Sequence, residues 1–337
     1  MNSQPSKLNV DDIQLEASLK PSIENVLPFY LQKARSGQRV CLVTLFNVDS
    51  DSPRPVGSQI AVAEDGESFG FITGGCAESA IVHEALMALR ENQSRTIRIG
   101  SDSPWFDIKL PCGAGIDLHF SVADSQEVIE TACRQLEMRQ AVSLLIDVEK
   151  DDVRVCDKQD EQTLEQTFIR AYLPQTRMVI VGAGPYVDAL TAIATQAGYE
   201  VMIWSPEEEL VNRTLGCGVK RSRMSRSTEL PVGVFDAWTA AVLLFHEHDW
   251  ESKVLCSILK TNCFYIGALG SRKTQANRLQ QLRALGVDEE ALNRIHGPVG
   301  VSINARTPHE IAVSILADVI REKNSPDSEG SVEESFQ

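Results

Sequence analysis

No stretch of the chain reaches the run of about 18 apolar residues that a helix needs to cross a bilayer, so a membrane-spanning role is not indicated. The first twelve residues, Met1 to Asp12, hold no apolar run, so no secretory signal is expected there. Paired cysteines are missing too. The eight cysteines (41, 76, 112, 133, 156, 217, 256 and 263) show no Cys-x-x-Cys spacing, which removes a zinc ribbon. Several sit inside apolar, strand-like runs, which suits free thiols and a cytoplasmic protein better than a disulfide framework. Positive charge is scarce. With 32 Lys and Arg against 47 Asp and Glu, the net charge of −15 argues against nucleic acid and anionic membranes as partners. There is no Gly-x-Ser-x-Gly elbow, so a Ser-His-Asp hydrolase is not indicated, and no internal repeat is evident.

What is present is enough for two ordinary cores. The 337 residues are 43% hydrophobic and 23% charged, as in a globular protein. The expected class is α/β: an N-terminal mixed α+β domain over 13–172, then a Rossmann-like, doubly wound parallel sheet over 173–323. Tyr172-Leu173-Pro174-Gln175-Thr176 marks the boundary, because beyond it apolar runs and helical stripes alternate. The acidic end, 324–337, has the composition of a disordered tail. In the first half, helices are expected near Ile23–Arg35 and Ser125–Arg139, and strands at Val40–Phe46, Gln59–Ala63, Ser68–Ile72, Arg95–Ile99, Ile116–Phe120, Val142–Val148 and Val153–Cys156. Near the end, Thr307, Pro308 and Glu310 predict a capped helix whose buried face is Ile311, Ile315, Leu316, Val319 and Ile320.

The chemistry-bearing stretch of the first half is Ile72-Thr73-Gly74-Gly75-Cys76-Ala77-Glu78-Ser79, where a strand turns into an amphipathic helix carrying Ile81, Val82, Ala85, Leu86 and Leu89. Two residues without Cβ allow positive φ and a close ligand. The first helical turn offers unpaired N–H groups and the positive end of a dipole, which would bias Cys76 toward thiolate. An anion or a metal centre fits that description; so does a tight turn whose cysteine packs as a small hydrophobe. Cys112 and Gly113 lie in a second glycine-rich loop, and Arg54 precedes Gly57 in a third. Two thiols and an arginine gathered from three loops would suit an anionic, sulfur-liking ligand, with Cys76 and Cys112 as the metal-proximal candidates.

In the second half, two strands end in glycine turns that open helices: Gly182-Ala183-Gly184, and Gly267-Ala268-Leu269-Gly270-Ser271 followed by Arg272 and Lys273. Such loops gather at the carboxyl edge of a parallel sheet. The dinucleotide fingerprint is broken, however: Val187 stands at the third glycine, Pro185 lacks an N–H, and Trp204-Ser205-Pro206 replaces the acid that binds ribose. His246-Glu247-His248-Asp249 follows the third strand; its alternate histidines could face one metal or one anion, or His246 could contact a phosphate.

At these residues the chain resembles the XdhC/CoxI family of molybdenum cofactor maturation chaperones, over about Val40 to Ile320. The resemblance is carried by Ser52-Pro53-Arg54-Pro55-Val56-Gly57, by Gly74-Gly75-Cys76 with Glu78, and by Cys112-Gly113-Ala114-Gly115. In the second half it rests on Gly182-Ala183-Gly184, His246-Glu247-His248, Ile266 to Lys273, and Thr307-Pro308-His309-Glu310. It departs from the family at Pro185, where His is usual, at Ser205, where Asp is common, and at Ser302-Ile303-Asn304-Ala305. The resemblance implies a non-enzymatic accessory protein. It would bind molybdopterin with its molybdenum, take part in sulfuration by a cysteine desulfurase, and deliver the cofactor to a xanthine-dehydrogenase-like hydroxylase. The implied cofactor-binding residues are Arg54, Gly74, Gly75, Cys76, Glu78, Cys112, Gly113, Gly182, Gly184, His246, Gly267, Gly270, Ser271 and Arg272. The alternative is an NAD(P)-dependent oxidoreductase using Gly182 to Gly184. A homodimer is expected from the prevalence of two-fold oligomers.

Overall fold

The structure, a computed structural model, describes residues 22, 25–49, 54–75, 77–101, 103, 113, 115–156, 167–208, 219–224, 230, 232–245 and 250–325. Cys76, Cys112, His246 and the tail beyond 325 lie outside the described residues. Two compact units follow one another along the chain, with the break between Pro174 and Gln175.

The first unit is built on five antiparallel strands: β1 Val40–Val48, β2 Gln59–Ala63, β3 Ser68–Gly70, β4 Arg95–Gly100 and β5 Gly115–Ser121, ordered β3-β2-β1-β5-β4. The central strand β1 is buried on both faces over its first six residues, which is why it reads as an unbroken apolar run. Helix α2 (Glu78–Glu91) covers one face, setting Ile81, Ala85, Ala88 and Leu89 against Val43, Leu45, Leu118 and Phe120. On the other face lie α1 (Leu27–Arg35), α3 (Gln126–Glu137) and a small sheet of β6 (Val142–Asp147), β7 (Asp152–Val155) and β8 (Thr167–Tyr172), ordered β7-β6-β8. Strand β8 was not expected from the sequence.

Register fixes where the loops go. Thr44 pairs Gln59, Ile60 pairs Gly70, Val48 pairs Ile116 and Gly100 pairs Gly115. The ends of β1, β3 and β4 and the starts of β2 and β5 therefore share one end of the sheet. All three loops that carry candidate residues (49–58, 71–77 and 101–114) leave from that end.

The second unit is a six-stranded sheet with every pair parallel: β9 Arg177–Gly182, β10 Glu200–Ser205, β11 Lys220–Arg223, β12 Thr239–Leu244, β13 Tyr265–Ala268 and β14 Ile295–His296. Its order, β11-β10-β9-β12-β13-β14, is that of a doubly wound dinucleotide-type sheet. Helices α4 (Pro185–Gln196) and α8 (Pro308–Lys323) pack one face; α5 (Glu251–Ile258), α6 (Arg272–Ala284) and the short α7 (Glu289–Asn293) lie toward the other. The capping box expected on α8 is formed: the Glu310 N–H donates to Thr307 Oγ1 at 3.3 Å, and Glu310 Oε2 accepts the Thr307 N–H at 2.9 Å. One residue of its expected buried face is corrected. Ile320 is 40% exposed, because Asp318 and Val319 take the inward positions of that turn. Among the described residues no helix is long and apolar enough to cross a membrane.

Candidate functional site

The loop between β3 and α2 is organised by Glu78. Its Oε1 accepts the N–H groups of Ile72 (3.1 Å) and Thr73 (2.7 Å). Its Oε2 accepts those of Gly75 (2.7 Å) and Ala77 (3.3 Å), and the Thr73 hydroxyl at 2.6 Å. The Ala77 N–H also reaches Thr73 Oγ1 at 2.9 Å. Burial opposes the charge on Glu78, but these hydrogen bonds outweigh it and hold its carboxyl below the usual carboxylate range. Gly74 and Gly75 turn at φ of 75° and 109°, are exposed, and among the described residues have nothing within 4 Å of where a Cβ would stand. Glycine is needed there for the turn, and the space beside it is open.

This arrangement changes the expectation for the start of α2. The N–H groups that Glu78 engages are those of the preceding loop and of the N-cap Ala77, so the carboxylate ties the loop to the helix start. The same carboxylate, in the first turn of α2, offsets the positive end of the helix dipole. Glu78, expected to bind cofactor, has both oxygens committed to shaping the loop.

Two further contacts tie the loops of this edge together. The Arg54 guanidinium lies over the Phe71 ring, 4.8 Å from its centroid, joining the first loop to the residue that precedes Ile72. Arg98, at the end of β4, donates to Asp117 at 3.0 and 3.1 Å, to the Ser101 carbonyl at 2.9 Å, and to Asp49. Asn47 completes the cluster by donating to Asp117 at 2.7 Å. A Cβ on Gly115 would fall 2.3 Å from Arg98 Nη2 and 2.6 Å from Asp49 Oδ2, the far ends of two flexible side chains that would then have to shift. Gly113 is exposed at φ of 72°, with none of the described residues within 4 Å of where a Cβ would stand. Phe71, Arg98, Asp49 and Asp117 were not among the expected site residues.

In the second unit the Gly182 and Gly267–Arg272 loops both leave the carboxyl edge, flanking the end of β12. The Ala183 N–H donates to Leu244 O at 3.3 Å and the Leu269 N–H to Leu243 O at 2.9 Å. The strand order reverses between β9 and β12, and Gly182 sits at that point, where a Cβ would meet Leu244 O at 2.3 Å. Gly184 is the N-cap of α4 at φ of 84°, and Pro185 opens the helix. Gly267 is required by packing, since its Cβ would stand 2.5 Å from Val299 Cγ2; Gly270 would similarly meet Thr274 at 2.8 Å. Ser271 caps α6 by accepting the Thr274 N–H at 3.1 Å, and Arg272 is exposed in its first turn. Beneath this loop the buried Arg278 donates to Glu251 Oε1 (2.8 Å) and to Leu269 O (2.6 Å).

The nucleotide half of the expectation gains nothing from this geometry. Val187, where the fingerprint has glycine, is fully buried in the core. Ser205, where a ribose-binding acid would stand, is fully buried and accepts the Glu207 N–H at 3.1 Å. Elsewhere, His296, Asp318 and Glu322 bring three possible ligand atoms within 4.8 Å of one another. Arg321 already supplies a cation there, at 2.5 Å from Asp318 and 3.0 Å from Glu322, and Tyr265 donates to Asp318 at 2.6 Å. That group is an ion network.

Comparisons with known proteins agree with both units. The model described as the XdhC and CoxI family matches residues 34–100, and that described as the XdhC Rossmann domain matches 178–319. The chain is 34% identical over 306 residues to the molybdenum cofactor insertion chaperone PaoD of Escherichia coli K12, covering 90% of each chain. It is 24% identical over 320 residues to a probable xanthine dehydrogenase subunit of Bacillus subtilis 168, covering 84% of this chain and 93% of that one. The solved structure of a xanthine dehydrogenase from Bacillus halodurans superimposes with a TM-score of 0.72 at 21% identity, over 92% of this chain and 99% of that one, which establishes likeness of fold. The chain belongs to the XdhC and CoxI family.

Proposed function

We propose that this protein binds the molybdenum cofactor and inserts it into a molybdenum hydroxylase, as an accessory chaperone and not as the enzyme itself. The observation that carries the reading is the gathering of the 49–58, 71–77 and 101–114 loops at one end of the antiparallel sheet, braced by Glu78 and Arg98. The kinship with PaoD, a molybdenum cofactor insertion chaperone, supports it.

The residues present suit such a group in part. Open space beside Gly74, Gly75 and Gly113 leaves room for a flat heterocycle, and Arg54 brings positive charge to that edge. The N–H groups of Ile72, Thr73 and Gly75 in the loop ahead of α2 do not suit its phosphate, because Glu78 holds them. Arg54 would therefore face the anionic part, and Cys76 and Cys112 remain the proposed metal-proximal thiols. When bound, the group carries the redox chemistry of the client; this chain's residues hold and shield it. In the same reading a cysteine desulfurase supplies sulfur to the held cofactor, the carrier works in the cytoplasm, and it does so as a homodimer.

The test is anaerobic purification from cells that make the cofactor, with assay of bound pterin and molybdenum. Stoichiometric pterin, lost in Cys76→Ser or Cys112→Ser, is the expected result. Retention unchanged in both variants would remove the thiols from the site. A folded protein without pterin or molybdenum, yet saturable by NAD(P), would replace the proposal with the oxidoreductase reading.

A further inference from the structure

Three polar side chains are buried in the core between the five-stranded sheet and the small sheet: Thr44 (1% exposed), Gln59 (5%) and Tyr172 (2%). Thr44 and Gln59 are cross-strand partners on β1 and β2, and Gln59 Nε2 donates to Thr44 Oγ1 at 3.0 Å. Gln59 Oε1 accepts the hydroxyl of Tyr172, the last residue of β8. Burial pushes the tyrosine pKa up, so the hydroxyl keeps its proton and donates, which fixes the sense of the whole chain of bonds. Apolar side chains of matching shape could fill this space at similar stability. What the polar chain adds is direction, since each bond forms only at one register and one side-chain orientation.

That direction is imposed on a loop of the candidate site. Gln59 opens β2 directly after the 49–58 loop. The end of that loop is a stiff turn: the Ser58 N–H and hydroxyl both donate to the Pro55 carbonyl, at 3.1 and 2.8 Å, and the Gly57 N–H donates to Leu45 O at 2.7 Å. Gly57 is buried at φ of 90°, and a Cβ there would stand 3.2 Å from Arg170 Cδ and 3.6 Å from Phe168 Cε2. The Arg170 guanidinium in turn lies over the Tyr172 ring, 5.4 Å from its centroid. Strand β8 therefore grips the turn at two points, by packing at Gly57 and by a hydrogen bond at Gln59. Arg54 stands immediately before the turn, so the place of its guanidinium over Phe71 depends on where the turn is held.

We propose that Tyr172 and Gln59 are positioning residues for the bound cofactor: through the 55–58 turn they hold Arg54 at the edge where the anionic part of the group would lie. The proposal rests on the cofactor reading above and extends it to β8, which holds none of the expected site residues.

Tyr172→Phe removes the hydroxyl and keeps the ring. In the full chain without ligand, amide exchange at Gly57 should quicken about tenfold, the scale of one hydrogen bond, with the amides of α3 unaffected. In protein purified anaerobically with pterin bound, release should quicken by a similar factor. Ile129→Val is a modest loss of packing on α3 in the same core and should leave both rates unchanged, which separates positioning from lowered stability. Tyr172→Phe combined with Gln59→Met replaces both partners by apolar groups. Its Tm should return toward the wild-type value while Gly57 exchange and pterin release stay fast. On an Arg54→Met background, Tyr172→Phe should not alter release further, because it acts through Arg54. The proposal is overturned if Gly57 exchange is equal in Tyr172→Phe and Ile129→Val, if exchange rises with release unchanged, or if release quickens as much without the Arg54 guanidinium as with it. A wild-type chain that holds no pterin overturns the cofactor reading instead; exchange at Gly57 then still shows whether Tyr172 holds the turn, so the two failures are distinct.

Discussion

Removing the Glu78 carboxylate should destabilise the first unit, and the size of the loss separates a brace from a ligand. Five hydrogen bonds converge on its two oxygens. In Glu78→Ala, the exposed Gly75 N–H can turn to water at little cost. The N–H groups of Ile72 and Thr73 belong to residues only 0% and 6% exposed, and they lose their acceptor. Stranding two such donors costs about 1–3 kcal/mol each; since the loop can partly relax toward solvent, about 2–4 kcal/mol in total is expected. For a unit of this size that lowers Tm by roughly 5–15 °C. Glu78→Gln keeps one acceptor oxygen but turns an NH2 toward the remaining donors, so it should fall in between. The pH dependence has a defined sign. A carboxyl held below its unfolded value contributes fully above about pH 5 and loses that contribution as pH falls below the ordinary carboxylate range. The gap in Tm between wild type and Glu78→Ala should therefore be constant near neutrality and close in acid. Calorimetry of both proteins across pH is the assay. A drop smaller than about 2 °C at pH 7, with cofactor retention nonetheless lost, would mean that Glu78 acts on the ligand and that the brace is unimportant.

Other perturbations follow from the same geometry. Arg98→Met removes the guanidinium, whereas Gly115→Ala displaces only its far end and that of Asp49. The first should cost about 1–3 kcal/mol in urea unfolding and the second less, and the double variant should cost little more than Arg98→Met alone; full additivity would show the two sites to be independent. Arg278→Met breaks the buried ion pair with Glu251, which is 2% exposed. A loss of about 3–5 kcal/mol is expected, confined to the unfolding transition of the second unit and absent from that of the first. Thr307→Ala breaks the capping box of α8 and should cost about 1 kcal/mol in that same transition.

The second unit was the more legible in the sequence, for a physical reason. Parallel strands buried on both faces must be apolar throughout, so Met178–Val181, Val201–Trp204, Ala240–Leu244 and Tyr265–Ala268 stand out as runs. Edge strand β11, Lys220-Arg221-Ser222-Arg223, carries no such mark and does not stand out. Nor does β8, where Arg170 sits between the inward Phe168 and Tyr172 and hides the alternation. At the candidate site the sequence showed the glycines and Glu78 but not what they do. Glu78 is adjacent in sequence to the groups it binds, so its role follows from a turn geometry that composition does not reveal. Arg98 was invisible because its partners, Asp49 and Asp117, lie 49 and 19 residues away.

The glycines themselves divide the two halves of the family resemblance. Gly182, Gly267 and Gly270 have neighbours within 3 Å of a Cβ position, so packing within the sheet edge is reason enough for glycine there. Gly74, Gly75 and Gly113 have none among the described residues, and each holds a positive φ on an exposed surface. Positive φ is reason enough for glycine at these three, as it is at the turn glycines Gly37, Gly66 and Gly198, and the open side leaves room for an occupant without requiring one. Room of that kind lies at the loops of the antiparallel sheet of the first unit. The contrast also sets an expectation for substitution. Alanine at Gly267 collides with Val299 and should lower stability whether or not a ligand is present. Alanine at Gly113 meets only the strain of its positive φ, about 1 kcal/mol, so a larger effect of that substitution on pterin retention than on Tm would mark the open side as the occupied one.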